Sequence, residues 1–172
     1  PSLSWDDVAR IKDLWGGKLI IKGIMDPEDA EMAVKHGADA IVVSNHGGRQ
    51  LDGALSSILA LPDIVSAVSG QTEIWLDSGI RSGQDILKAW ALGARGVMIG
   101  RAFLYGLGAY GQEGVTRALE ILYKEMDVTM AFTGHRDIQN VGREILIKGT
   151  YPISEYERTE SELQKRRRIY DE

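Results

Sequence analysis

The stretches GIMDPEDAEMAVKHGADAIVV (residues 23–43) and GIRSGQDILKAWALGARGVMI (residues 79–99) follow one pattern, and that pattern decides the fold. Each begins with Gly-Ile, continues into a helix-like segment and closes with Gly-Ala before an apolar run. Residues 26–28, Asp-Pro-Glu, are typical of a helix N-cap, a first helical proline and an acidic first turn. Gly37 and Gly93 stand where glycine commonly ends a helix. A β-α-β unit used twice predicts four parallel strands joined by right-handed helical crossovers.

Four short apolar runs mark the predicted strands. They show little alternation of apolar and polar residues, as expected for strands that are covered on both faces of a parallel sheet. The runs are Leu19–Ile21, Ala40–Val43, Ile74–Leu76 and Gly96–Ile99. Four such strands with their helices make half of a (β/α)8 barrel, which as a whole needs about 250 residues. The predicted fold is therefore an α/β half barrel. A doubly wound open sheet is the alternative, and it explains the repeat less simply.

The composition bounds the kind of protein. With 172 residues, 44% of them hydrophobic and 26% charged, the chain is long enough for one globular unit with a core. A formal net charge of −5 gives no reason to expect nucleic-acid binding. The absence of cysteine excludes disulfides and suits a cytoplasmic location, with peripheral membrane association as the alternative. The basic run at residues 165–168 is interpreted as a solvated helix end or, alternatively, as a docking patch.

The loop after the second predicted strand is rich in chemistry. In the stretch AIVVSNHGGRQLDG (residues 40–53) the apolar run stops at Ser44, and a histidine and an arginine follow on a glycine-rich loop. Catalytic residues of a barrel lie at the carboxyl ends of its strands. Histidine titrates near neutral pH, which makes His46 the candidate general base. The planar fork of arginine suits a carboxylate, which makes Arg49 the candidate substrate-binding residue. The alternative is an ordinary polar turn.

The last two strand ends predict a phosphate site. Glycine turns offer backbone N–H groups to an anion, and arginine adds bidentate contacts to phosphate oxygens. Barrels commonly hold a phosphate between their last two strand loops. The candidate residues are Asp77, Ser78, Gly79, Ile80, Arg81, Gly100 and Arg101. Asp77 is a candidate acceptor for a sugar hydroxyl or, alternatively, a structural cap, and the whole set is alternatively two glycine turns with surface arginines.

Lys22 follows the first predicted strand, directly before a glycine. A cation there is placed to stabilise a negative charge that develops on a cofactor ring. It is equally placed to form a Schiff base, as lysines do in aldolase barrels. A lysine that merely extends from the strand end into solvent is the third interpretation.

These motifs together resemble the second half of the FMN-dependent α-hydroxy acid oxidases and dehydrogenases, with a preference for the branch that acts on lactate and mandelate. The matching segments are Lys22-Gly23, residues 44–53, residues 77–81 and Gly100-Arg101. The Ser-Asn-His-Gly-Gly-Arg-Gln-Leu-Asp string carries the identification, because the Gly-Ile-Arg and Gly-Arg segments occur in many phosphate-binding barrels.

The resemblance implies roles for the candidate residues. Lys22 would face the N1/O2 edge of the flavin, and Ser44 would lie at the flavin. His46 would be the base, and Arg49 would bind the substrate carboxylate. The ribityl and phosphate groups of FMN would contact Asp77, Ser78, Gly79, Ile80, Arg81, Gly100 and Arg101. The implied reaction oxidises an (S)-2-hydroxy acid to a 2-oxo acid with FMN as electron acceptor, by a hydride or a carbanion route.

The resemblance also implies a domain organisation. Residues 1–145 would be the C-terminal half of a TIM barrel, in which Gly114–Thr133 is a long amphipathic helix on the outside. Residues 146–172 would be a C-terminal tail with a helix. The expected partners are a small 2-hydroxy acid substrate and either the missing N-terminal half barrel or another copy of the chain, since the family often forms tetramers. The alternative functions are a phosphate-binding Schiff-base lyase or isomerase, and a non-catalytic remnant.

Overall fold

A four-stranded parallel sheet forms the centre of the computed structural model, which describes residues 3–157. The strands lie in the order β1-β2-β3-β4, and each neighbouring pair is parallel. They are β1 (Ile20–Ile24), β2 (Ala40–Val43), β3 (Glu73–Leu76) and β4 (Gly96–Val97). Sequential strand order without a reversal is the order of a barrel, whereas a doubly wound sheet reverses at a switch point. The prediction of four parallel barrel strands is confirmed.

Five helices surround the sheet among the described residues. They are α1 (Trp5–Trp15), α2 (Pro27–Lys35), α3 (Ser57–Val68), α4 (Gly83–Ala91) and α5 (Arg101–Phe132). The predicted start of α2 is confirmed, because the side chain of Asp26 accepts a hydrogen bond from the Glu28 backbone N–H at 2.9 Å. The two predicted helix-ending glycines, Gly37 and Gly93, have φ angles of 84° and 112°, which only glycine adopts at little cost.

The core lies between the sheet and the helices α2, α3 and α4. Its largest members have almost no exposed surface: Ile41, Leu61, Ile64, Leu76 and Leu92 are 0–2% exposed. Burial of each such side chain stabilises the fold by about 1.5–3 kcal/mol relative to leaving it in water. The sheet is therefore held from its helical side, which fixes the position of the four strand tips.

A cluster of charges closes the amino end of the sheet. The carboxylate of Asp39, directly before β2, accepts hydrogen bonds from Lys12, from Lys18 at 2.8 Å and from the Leu19 backbone N–H at 2.8 Å. These donors, first Lys12 and then Lys18 and Leu19, hold the pKa of Asp39 well below its usual range. The cluster ties α1 and the start of β1 to β2.

The last long helix contains the helix predicted at Gly114–Thr133, apart from its final residue, and extends further toward the N-terminus. It begins much earlier, as α5 spans Arg101–Phe132, but its backbone is non-helical at Gly111 (φ 58°, ψ −135°). The chain folds back there, so that the two arms of α5 touch at Gly106 and Gly114, where an added Cβ would collide with the backbone of the opposite arm. Gly106 and Gly114 permit this close contact because they carry no side chain.

Two strand boundaries also differ from the prediction. Lys22 was expected just past the first strand, but β1 continues to Ile24, and the pairing with β2 shifts register between Lys22 and Ile24. At the other edge, β4 contains only Gly96–Val97, shorter than the predicted run. The order of the sheet leaves β1 and β4 as its two edges, as expected for half a barrel.

The end of the chain is described only in part. Residues 146–157 include one short 3-10 turn at Glu155–Glu157, and the backbone N–H of Glu155 donates to Asp63 of α3 at 2.6 Å. The rest of the predicted tail, with its basic run, lies outside the described residues. Within residues 3–157, no helix combines the length and the apolar character needed to cross a membrane.

Candidate active site

The carboxyl ends of the four strands open into a cleft of about 550 Å³. Ligand-binding pockets commonly have volumes of about 300–1,000 Å³. Every site residue predicted from the sequence except Ser44 lines this cleft: Lys22, His46, Arg49, Asp77, Ser78, Gly79, Ile80, Arg81, Gly100 and Arg101. Residues from four separate strand ends therefore meet in one place.

An ion pair lies at the floor of the cleft. The ammonium group of Lys22 is 2.6 Å from Oδ2 of Asp77 and donates a hydrogen bond to Oγ of Ser44 at 2.8 Å. Ser44 is completely buried beneath the cleft. Burial acts to raise the pKa of Asp77, but hydrogen bonds from Lys22, Ser44 and Ser78 outweigh burial and lower it. Asp77 is therefore a carboxylate at neutral pH and holds the charge of Lys22 in a fixed position.

The loop that carries His46 is a short 3-10 turn, His46–Gly48, which follows β2. The side chain of Asn45 accepts a hydrogen bond from the Gly48 backbone N–H at 3.2 Å, and the His46 backbone N–H donates to Oγ of Ser44 at 3.1 Å. His46 has a φ of 56°, in the left-handed region that non-glycine residues rarely enter. Such strained residues gather at functional sites, where the surrounding contacts hold them.

The imidazole of His46 lies against the backbone of β1. A Cβ added at Gly23 would be 2.8 Å from Nε2 of His46, and Gly23 has a φ of 103°. Glycine is needed there both for its conformation and for the space that it leaves to the ring. His46 and Arg49 are both exposed to the cleft. Within residues 3–157, Arg49 forms no ion pair, so its guanidinium is free to bind an anion.

The two helices that begin at the cleft differ at their N-termini. Helix α4 is closed by its own chain: Ser82 and Asp85 form a capping box, and the Gly83 backbone N–H donates to Glu125 at 2.9 Å. Helix α5 begins at Gly100 without a side-chain cap. The first N–H groups of a helix attract anions when no side chain satisfies them. The N-terminus of α5 is therefore the helix end whose backbone N–H groups remain accessible to an anion in the cleft.

Glycines and arginines surround that open end. A Cβ added at Gly79 or Gly100 would meet no atom within 4 Å, so both face open space. Gly79 has a φ of 92°, which lets the chain turn there without strain. Arg81 and Arg101 line the same cleft, and two guanidinium groups beside free backbone donors are chemistry suited to a phosphate.

The sequence did not single out several lining residues. They are Gly47, Gln50, Met98, Ile99, Ala102 and Leu104. Met98 and Ile99 were expected inside the last strand, and the early end of β4 turns them into cleft residues. The other two histidines lie elsewhere, as interpreted from the sequence. His36 stacks on Trp5 with ring centroids 5.7 Å apart, and Nε2 of His135 lies 3.2 Å from Glu144.

The fold and the site place this chain among the α/β-barrel proteins that bind a phosphate-bearing ligand. The sheet has parallel strands in sequential order, cationic side chains and an imidazole lie at the strand ends, and one helix N-terminus there is uncapped. The profile of one such family, the FMN-dependent dehydrogenases, matches residues 1–148. The chain belongs to the FMN-dependent dehydrogenase family. The family and the cofactor predicted from the motifs, FMN, are thereby confirmed, and the Schiff-base interpretation of Lys22 loses its support.

Relatives in sequence are L-lactate dehydrogenases. That of Actinobacillus pleuropneumoniae serotype 5b (strain L20) is 56% identical over 147 residues, which are 86% of this chain and 39% of the relative. That of Caulobacter vibrioides (strain NA1000 / CB15N) is 54% identical over 146 residues, 85% of this chain and 38% of the relative. The chain thus spans about two fifths of the length of the curated relatives that it matches.

Solved structures of mandelate oxidase share the fold. A variant with a monooxide FMN adduct superimposes with a TM-score of 0.79 at 46% identity, covering 82% of this chain and 45% of that chain. Mandelate oxidase with benzoyl-formic acid gives the same TM-score and identity and covers 82% of this chain and 42% of that chain. The likeness covers less than half of each oxidase, as the prediction of half a barrel requires.

Proposed function

We propose that this chain provides the base, the substrate-binding arginine and the FMN phosphate site of an enzyme that oxidises a lactate-like (S)-2-hydroxy acid to a 2-oxo acid. One observation carries the proposal: Lys22, His46 and Arg49 share a single cleft with Arg81 and Arg101. The L-lactate dehydrogenases among its relatives support a small hydroxy acid as the substrate.

The substrate would be held by Arg49 and deprotonated by His46. The exposed guanidinium of Arg49 suits a bidentate contact with the carboxylate of a 2-hydroxy acid. The imidazole of His46, three residues earlier on the same loop, would accept either the hydroxyl proton or the proton on the α-carbon. Both routes need a base and a carboxylate-binding group side by side, and this loop offers both.

The residues of the cleft fit FMN. The open space before Gly79 and Gly100 leaves their backbone accessible to a phosphate, and Arg81, Arg101 and the uncapped start of α5 supply positive charge. Asp77, Ser78 and Ile80 complete the proposed contacts to the ribityl and phosphate groups. FMN, when bound, accepts the two electrons of the oxidation.

Lys22 would stabilise negative charge at the flavin ring. Its ammonium group is fixed by Asp77 at 2.6 Å and by Ser44 at 2.8 Å, so that it stands ready at the floor of the cleft without rearrangement. Ser44 is proposed to serve the cofactor site by holding Lys22 and the His46 backbone from beneath.

The proposed enzyme needs more chain than these four strands. The edges of the sheet, β1 and β4, each have one side without a neighbouring strand, and such edges favour pairing with other strands. We expect them to pair with the N-terminal half of the barrel or with another copy of this chain, within a tetramer as in the family. Residues 1–145 would form the half barrel and residues 146–172 a tail that packs on a neighbouring subunit. A non-catalytic remnant is the competing proposal, and it predicts no FMN binding even beside the missing half.

FMN binding separates these proposals. Titration of the protein into FMN should report binding as quenched FMN fluorescence or a shifted FMN absorbance. Riboflavin, which lacks the phosphate, should bind more weakly. Arg101→Ala should weaken FMN binding about 10- to 100-fold, the loss expected for one or two charged hydrogen bonds, and should leave riboflavin binding unchanged.

The matched control is Arg117→Ala, which removes an exposed arginine that pairs with Glu120 at 3.4 Å outside the cleft. It should leave both flavins bound as before. Equal affinity for FMN and riboflavin, or an equal loss in both arginine variants, would overturn the phosphate site. Absence of flavin binding in the presence of an N-terminal half barrel would favour the remnant.

A further inference from the structure

A closed ring of contacts joins the loop of His46 to the floor of the cleft. Ser44 accepts hydrogen bonds from Lys22 and from the His46 backbone N–H, and Lys22 pairs with Asp77. The ring is completed by Ser78, whose Oγ donates to Oδ1 of Asp77 at 2.8 Å and accepts from the Gly47 backbone N–H at 2.9 Å. Because Gly47 follows His46 directly, the base is held on both sides.

The backbone of Ser78 is itself constrained. Its φ is 72°, in the left-handed region where glycine is the favoured residue. Its carbonyl oxygen accepts a hydrogen bond from Oγ of Ser57 at 3.0 Å, and the carbonyl of Asp77 accepts from the same hydroxyl at 2.5 Å. Ser57 is 1% exposed, so α3 fixes the Asp77–Ser78 turn from inside the core.

We propose that Ser78 is a positioning residue, whose hydroxyl couples the Asp77–Lys22 pair to the His46–Gly47 backbone and so keeps the base in place over Gly23. The proposal rests on the function proposed above for His46. It concerns the side chain of Ser78, whose Oγ–H donates to Asp77 and whose Oγ accepts from the Gly47 N–H, and it leaves the contact with FMN proposed above to the backbone of Ser78.

Ser69, which also has a left-handed backbone conformation, serves as a comparison for Ser78. Ser69 ends α3 with a φ of 49°, and its hydroxyl donates to the carbonyl of Ser66 at 2.7 Å, within its own helix. Glycine relieves the strain at both positions, because it adopts positive φ freely. At Ser69 nothing beyond a local bond is lost by that change, whereas at Ser78 the bond to Gly47 spans 31 residues of sequence.

Amide hydrogen exchange tests the coupling directly, without cofactor or substrate. In Ser78→Ala and Ser78→Gly, the Gly47 N–H loses its acceptor, and its exchange measured by NMR should accelerate at least about tenfold. The matched controls Ser69→Ala and Ser69→Gly should change Gly47 exchange by less than about twofold. Ser78→Gly relieves backbone strain and is expected to keep the global stability, so that faster exchange in this variant reports local loosening. Gly47 exchange within twofold of the parent in both Ser78 variants would overturn the proposal.

Kinetics tests the consequence for the base in the FMN-loaded protein completed by an N-terminal half barrel. Loss of positioning should lower kcat for the hydroxy acid about tenfold in both Ser78 variants, while KM and FMN affinity stay within about twofold. A rise of KM or a loss of FMN with unchanged kcat would overturn the positioning role in favour of a binding role. If the parent chain completed by an N-terminal half barrel oxidises no 2-hydroxy acid, the proposed function falls, and the exchange measurement alone decides the role of Ser78.

Discussion

The amino and carboxyl ends of the sheet differ in how their charged side chains are paired. At the amino end, Asp39 is surrounded by Lys12, Lys18 and the Leu19 N–H, and its cluster is closed. At the carboxyl end, one carboxylate pairs with one lysine, and the arginines of the cleft have no acidic partner among residues 3–157. The first arrangement joins elements of the fold, and the second leaves positive charge available for a ligand.

Backbone strain is concentrated at the carboxyl end. Of the three non-glycine residues with a positive φ among residues 3–157, His46 (56°) and Ser78 (72°) lie there, and Ser69 (49°) ends α3. Strained residues of this kind cost about 1–3 kcal/mol each and persist only where other contacts hold them. The comparison indicates that contacts at the amino end of the sheet stabilise the fold, whereas the carboxyl end contains strained residues that position the site. Changes at the two ends should therefore affect different measurements.

The largest expected effect is the loss of the base at the carboxyl end. His46→Gln should lower kcat by about 10²- to 10⁴-fold, the usual contribution of a general base. Because the side chain is exposed, the free energy of unfolding should stay within about 0.5 kcal/mol of the parent. Steady-state kinetics of the chain completed by an N-terminal half barrel measures kcat, and urea unfolding measures stability. Retention of more than a tenth of the parent kcat would contradict the assignment.

Gly23→Ala should have an intermediate effect at the same end. The new methyl group meets Nε2 of His46 at 2.8 Å on a backbone with φ 103°, so we expect about 1–3 kcal/mol of destabilisation and displacement of the ring. A displaced base should lower kcat about 10- to 100-fold. Gly53→Ala is the control, because Gly53 also has a positive φ of 76° but faces no atom within 4 Å.

Both Gly23→Ala and Gly53→Ala should lower the free energy of unfolding, measured by urea unfolding, because alanine is strained at a positive φ. Only Gly23→Ala should lose kcat beyond what the control loses. An equal kcat in the two variants would mean that glycine at position 23 is needed for its backbone conformation alone and not for the space that it leaves to the His46 ring.

The smallest effect is expected at the amino end and only on stability. The folded-state pKa of Asp39 lies below its ordinary value of 3.8, so ionised Asp39 stabilises the fold above that pH, and the contribution is lost as the pH falls toward the folded-state value. Asp39→Asn should therefore lower the melting temperature most at neutral pH, and the difference from the parent should shrink in acid. Asp13→Asn, an exposed change on the same helix as Lys12, is the control. A difference that grows as the pH falls would contradict the assignment.

Local patterns predicted the scaffold well. The apolar run at Ala40–Val43 became β2 with the same bounds, and the Asp26 cap formed as predicted, because strand burial and helix capping depend on neighbours in sequence. The half barrel followed from the repeat, since equal segments fold into equal units. The family motifs placed His46 and Arg49 in one loop, and their presence in the cleft needed only that β2 end where it does.

Tertiary contacts explain what the sequence did not reveal. The extension of β1 past Lys22 depends on a register shift against β2, which no local pattern of β1 records. The buried hydroxyl of Ser57 holds a turn that is distant in sequence, and a serine early in a helix looks like any other capping residue. No helix was predicted before Gly114, and the contact of Gly106 with Gly114 in α5 depends on the fold and not on neighbouring residues.

That crossing in α5 restricts which mutations the chain tolerates. At Gly106 and Gly114 the two arms approach so closely that even a methyl group on either residue would collide with the opposite backbone. Alanine, the mildest replacement elsewhere in a helix, is thus excluded at both positions. Any heavier residue would push the arms apart and tilt the first turn that begins at Arg101. Two chemically inert positions outside the cleft therefore accept only glycine.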